Sequence, residues 1–162
     1  MADVIVQVQP NAINMSPVGF YSFGCDYLMY AKRARKPNGR YSPAPYFLSC
    51  QAIELLLKAW LSAKGVTSKE LRDVEKYGHN LDRLLARSVE VGLGSHVRIT
   101  PRRCENIRRA NAYYQPGKKF NYFDLRTIFA PKGPLHDLPN RSQLHQFGDA
   151  LVKGIHDAVF AA

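Results

Sequence analysis

The amino-acid sequence predicts an all-α fold: a helical bundle of about five helices, with one long irregular loop before the last. Three observations carry that reading. Apolar residues recur at three- and four-residue spacing through four long segments. The segments open on Ser, Thr, Asn or Pro, and most of them stop at Gly or Pro. Alternation of period two is confined to "VIVQVQ" near the N-terminus, a stretch that fits a short added strand or loose chain.

The first helix starts at Ser16-Pro17, with Ser as N-cap and Pro at the first position. It runs to about Lys36, where "KPNGRYSP" breaks it. Phe20, Phe23, Tyr27 and Tyr30 are spaced to form its buried stripe. Pro45 opens the second helix and Gly65 closes it. Phe47, Leu48, Ile53, Leu55, Leu56, Leu57, Trp60 and Leu61 make this helix apolar almost all round, the mark of a central element packed on most sides. A polar thread of Gln51, Glu54, Lys58 and Ser62 runs through it and reads as its wet edge. Gln51, Glu54 and Lys58 are the members of it that could instead hydrogen-bond to the His79 turn or face a pocket.

"TSKELRDVEKYG" is a short charged helix capped by Thr67 or Ser68 and stopped by Gly78. "HNLDRLLARSVEVGLG" follows with Asn80 able to cap it, Leu81, Leu84 and Leu85 inward, and Val89 as the next inward candidate. Thr100-Pro101 begins "TPRRCENIRRANAYY", with Cys104, Ile107 and Tyr114 facing in and Arg102 and Arg109 projecting together around Glu105. Residues 118–139 carry Gly133 and three prolines and read as irregular. Asn140 caps a last helix from Arg141 to Phe160, with Leu144, Phe147, Leu151, Ile155 and Val159 as core positions. The organisation is a flexible or short-strand segment over residues 1–15 and a single helical domain over 16–162.

Composition narrows the function. Hydrophobic residues make up 46% and charged residues 22%, an ordinary globular balance. No apolar run is long enough for a spanning helix, and the N-terminus lacks a signal-peptide pattern. Cys25, Cys50 and Cys104 are far apart, show no zinc spacing and are expected as reduced thiols of a cytoplasmic protein. Net charge is +10, and it is uneven. Lys32, Arg33, Arg35, Lys36 and Arg40 form one cluster. Between Arg98 and Lys132, nine basic residues face only Glu105 and Asp124, so +7 of the net charge lies there. A polyanion is the natural partner of such a field. Arg102, Arg103, Arg108, Arg109, Lys118 and Lys119 are the nucleic-acid-binding candidates, interleaved with Tyr113, Tyr114, Phe120 and Tyr122.

Gln51, Glu54, Leu57 and Lys58, followed by Gly78, His79, Asn80 and Leu81 and then Leu84 and Leu85, resemble the HEPN domain family. In that family a Q-x-x-E-x-x-L-K helix precedes a Gly-His-Asp-Leu type start to the next helix. "NAYYQPGKKFNYFD" is similar to the aromatic-basic stretch after the fourth helix of some members. The resemblance spans about Pro45 to Asp124 and the layout of the final helix. It implies a helical bundle that engages nucleic acid or nucleotides, often as a homodimer. An antitoxin-like or nucleotidyltransferase-like partner protein comes with the same expectation. Many members are metal-independent ribonucleases, several of them toxins, with an Arg, four to six residues, and a His in a late helix near the dimer face. His can move protons there and Arg can hold the anionic phosphorane.

This chain departs from that spacing. Arg141 and His145 have three residues between them. Arg72 and His79 have six, but they straddle the wrong junction. The chain is therefore read as a non-catalytic domain that binds RNA or another polyanion through its basic surface. A divergent ribonuclease using Arg141 and His145 is the alternative, and a dimeric protein-interaction module with incidental charge is a third. No cofactor, metal or membrane is implied: "GVTSK" lacks the phosphate-loop spacing, and HExxH and GxSxG are absent.

Overall fold

The computed structural model describes residues 16–34, 42–115 and 138–162. The expected N-terminal segment, Arg35, Lys36, Arg40, Lys118, Lys119 and most of the expected irregular loop lie outside them. Among the described residues the fold is all-α. Its helices are α1 (Pro17–Arg33), α2 (Ala44–Ala63), α3 (Ser68–Arg72), α4 (Leu81–Glu90), α5 (Pro101–Tyr114) and α6 (Arg141–Phe160). A 3-10 turn, Leu93–Ser95, links α4 to α5.

Side-chain caps set most of the helix starts. Ser16 Oγ accepts from the Gly19 amide at 3.1 Å to begin α1. Thr67 and Glu70 form a reciprocal capping box on α3. Asn80, Thr100 and Asn140 accept from the amides three residues on and begin α4, α5 and α6. Gly65, at φ +88°, turns the chain out of α2 in a conformation that disfavours any side chain.

α2 is the central element and packs against α1, α4, α5 and α6. Ile53, Leu56, Leu57, Trp60 and Leu61 are wholly buried. The Trp60 indole N–H donates to the Ser88 carbonyl at 3.2 Å and so ties α4 to α2. All five expected core positions of α6 are buried, and the Tyr21 hydroxyl donates to the Val152 carbonyl, joining α1 to α6.

Two expected faces are corrected. Phe20 is buried, but Phe23 and Tyr30 are 44% and 57% exposed. The inward stripe of α1 runs instead through Phe20, Tyr21, Gly24, Leu28 and Ala31. Helix contact selects small residues there: an added Cβ at Gly24 would meet Leu56 at 2.8 Å, and one at Gly148 would meet Leu28 at 2.7 Å. On α4, Val89 is exposed and Ser88 is buried in its place, with its carbonyl taken by Trp60.

Among the described glycines the tightest fit lies between α6 and the loop before α5. A Cβ on Gly154 would sit 2.6 Å from the His96 carbonyl oxygen, a backbone atom that cannot rotate away. Gly154→Ala is expected to destabilise the protein by about 1–3 kcal/mol in urea denaturation despite the better helix propensity of Ala. Gly94→Ala, where nothing lies within 4 Å, is expected to be neutral.

Candidate functional site

Two features stand out, a buried polar cluster in the middle of the bundle and a basic groove at one end of it. The cluster is built on Glu54, which is 1% exposed on α2. A carboxylate in that position must be met by donors. Lys58, one turn on, donates to Oε1 at 2.7 Å. Tyr114, from the last turn of α5, has its hydroxyl 2.6 Å from Oε2 and 2.5 Å from Gln51 Oε1. His79 Nδ1 lies 3.0 Å from Oε2. The expected wet edge is thus corrected at Glu54 and Lys58, the latter only 6% exposed. Glu54 points inward because partners from two other elements converge on it, and Lys58 follows as its counter-ion one turn on.

Local structure delivers His79. After α3 the amides of Tyr77 and Gly78 both donate to the Asp73 carbonyl at 2.8 Å. Gly78 adopts φ +46° with Val74 Cα 3.0 Å from where a Cβ would be, so the tight turn requires glycine. Asn80 then caps α4, while the His79 side chain stays 51% exposed. Burial pushes the Glu54 carboxyl up, but the hydrogen bonds and charge of His79 and Lys58 outweigh it and hold the group below the usual carboxylate range. The hydrogen bond to Glu54 raises His79. Burial and the Glu54 charge keep the Tyr114 hydroxyl protonated far above the ordinary tyrosine range.

The groove forms where α5 and α6 begin. Asn106 donates to the Asn140 carbonyl at 3.1 Å and accepts from the Asn140 amide at 2.6 Å, which holds the two starts together. Beside this lock lie two adjoining hollows of about 340 and 400 Å³. Arg102, Asn140 and Gln143 line both. Arg103 borders the first, Arg109 and Glu105 the second. With its amide oxygen turned toward Arg102, Gln143 accepts from Nε and Nη2 at 2.8 Å each. Arg103 is held by the Arg98 carbonyl and lies over the Phe147 ring, 5.7 Å from its centroid. Glu105 is shared by Arg108 and by Arg109, whose Nε is 3.1 Å from Oε1.

Of the six candidate nucleic-acid residues, the structure brings Arg102, Arg103 and Arg109 to this groove, and Arg108 adjoins it through Glu105. Lys118 and Lys119 lie outside the described residues. The contributions of Gln143 and of the Asn106–Asn140 lock were missed. They depend on the meeting of two helix starts distant in sequence, for which no local pattern exists.

Among the described residues no hydrogen bond joins Arg141 to His145. His145 Nε2 is buried with no hydrogen-bond partner among the described residues. Burial, with the charges of Arg141 and Lys32, lowers the tendency of the ring to protonate. Among the described residues no group of His, Cys, Asp or Glu is arranged to hold a metal, and no helix is long and apolar enough to cross a membrane. Comparisons of the chain with protein-family models, with curated proteins and with solved structures gave no match.

Two outcomes follow from the buried cluster. Lys58→Met strands the buried Glu54 charge and is expected to cost about 3–5 kcal/mol in urea denaturation, part of which Glu54→Leu in the same chain restores. His79 is more basic folded than unfolded, so its bond to Glu54 contributes fully below about pH 6.5 and fades as pH rises through the raised folded value. The stability gap between wild type and His79→Gln, measured from pH 5.5 to 9, is expected to narrow over that rise.

Proposed function

We propose that this chain is a HEPN-like, non-catalytic helical domain that binds RNA or a similar polyanion through the basic groove at the start of α5 and α6. The observation that carries the reading is the gathering of Arg102, Arg103 and Arg109 around polar hollows in which Glu105 is the one lining carboxylate. Phosphate contacts by such groups release counterions and give affinity without sequence preference. The family reading draws support from a second fact. Gln51, Glu54, Lys58 and His79, which carry the resemblance, meet in one hydrogen-bonded cluster. The ribonuclease alternative needs a competent Arg–His pair, and the enclosed His145 Nε2 argues against Arg141 and His145 in that role. Homodimerisation, and an antitoxin-like or nucleotidyltransferase-like partner, belong to the same proposal.

The deciding experiment is a titration with tRNA and with short single-stranded RNA at two salt concentrations. Replacing Arg102, Arg109, Lys118 and Lys119 with Gln is expected to weaken binding to all sequences alike. The log–log salt slope should flatten by roughly 0.7–0.9 for each phosphate the protein no longer neutralises. Replacing Lys64, Lys69 and Lys76 should do little; equal weakening by both sets would reduce the groove to a generic charge effect. Light scattering at micromolar concentration is expected to give twice the 18.3 kDa chain mass. RNA incubated with the protein in EDTA should stay intact.

A further inference from the structure

The geometry points to a seat for one phosphate group at the Arg102–Gln143 contact, in which Gln143 holds the place of the phosphate and gives way to it. The inference rests on the polyanion reading and deepens it by naming the grip. Arg102 presents its Nε–Nη2 edge, the fork that matches two oxygens of a phosphate or carboxylate. With the Gln143 amide turned so that its oxygen faces Arg102, that fork meets a single neutral oxygen at 2.8 Å from both nitrogens. Gln143 therefore satisfies the donors and leaves the charge uncompensated. A phosphate offers a second oxygen and the missing charge, so the exchange favours the ligand.

The surroundings fit the same group. The hollow beside Arg102 is about 340 Å³ and is lined by Thr100, Arg103, Asn140, Ser142 and Gln146 as well as Arg102 and Gln143, with no carboxylate among them. That volume is at the small end of ligand sites, near the size of one nucleotide unit. Glu105 borders the neighbouring hollow and is already taken by Arg108 and Arg109. Arg102 therefore differs from Arg108 and Arg109. Arg108 and Arg109 share an internal counter-ion, while among the described residues Arg102 is paired with no carboxylate and faces the Gln143 amide. The first turns of α5 and α6, helices of 14 and 20 residues, add their partial positive charge at the same end.

The phosphate could come from an RNA backbone or from a free nucleotide, and the test separates these. Full-length protein is titrated with a 5′-hydroxyl oligouridylate, with AMP and with inorganic phosphate, while NMR follows the Arg102 Nε–H and the Gln143 side-chain amide. The oligouridylate is expected to shift both signals at concentrations where AMP and phosphate shift neither. Arg102→Lys keeps the charge and removes the fork; it is expected to fold normally and to bind the oligouridylate about tenfold more weakly. Gln143→Ala removes the internal competitor and is expected to bind several-fold more tightly, which a merely structural role would not produce. RNA binding without a shift at Arg102, or left unchanged or weakened by Gln143→Ala, would overturn the seat and leave the polyanion reading standing. Shifts with phosphate and AMP but no binding of RNA at low salt would keep the seat and overturn the polyanion reading.

Discussion

A carboxylate enclosed in the centre of the bundle has to be answered, and the answer organises the fold. Glu54 cannot turn to solvent, so Lys58, His79 and Tyr114 must reach it together. Lys58 comes from the same helix. His79 brings the turn before α4, and Tyr114 brings the end of α5. Asn111 extends the arrangement: its side-chain oxygen accepts from the Leu81 amide at 2.8 Å, and its amide donates to Asn80 and Asp82. The last turns of α5 are thereby fixed against α2 and the start of α4. The first turns are fixed against α6 by Asn106 and Asn140. α5 is held by polar contacts at both ends, and the arginines it carries are presented from a rigid support.

Charge along α5 is graded by its own local sequence. Glu105 lies three and four residues before Arg108 and Arg109, the spacings at which helix side chains meet, and it pairs with both. Arg102 lies three residues before Glu105 but turns to Gln143. Four arginines that look equivalent in a charge count therefore fall into three settings, with Arg103 held by the Arg98 carbonyl over Phe147. The charges along α5 are therefore not a uniform positive field, and substitutions at its two ends should differ in effect.

Much of the fold was legible in the sequence. Caps at Ser16, Thr67, Asn80, Thr100 and Asn140 are local chemistry, readable without tertiary knowledge. The core face of α6 was legible because large aliphatic and aromatic residues mark it at strict spacing. The face of α1 was misleading for the opposite reason. Its contact side carries Gly24 and Ala31, while Phe23 and Tyr30 lie outside, so reading by aromatic bulk rotates the helix. Within the candidate site the arginines announced themselves by charge. The inward turn of Glu54 and Lys58 did not, because an i,i+4 pair of opposite charge has the same spacing on a wet surface and in a core.

That ambiguity also shows what the buried pair contributes. α2 is apolar on nearly every side, so burial of area alone gains almost as much for one rotation about its axis as for another. Leu55 and Phe47, only partly buried, would serve as core residues if the helix were turned. Glu54 removes the degeneracy. In any rotation that carries it away from Tyr114 and the His79 turn, its charge is left in the core with Lys58 as its sole partner, or is exposed at the expense of the leucines opposite. An apolar replacement of the pair would meet no such penalty, and for that reason would specify the rotation less sharply. The polar thread through an otherwise greasy helix is best understood as the element that sets its register, and the placement of α5 and its arginines follows from that register.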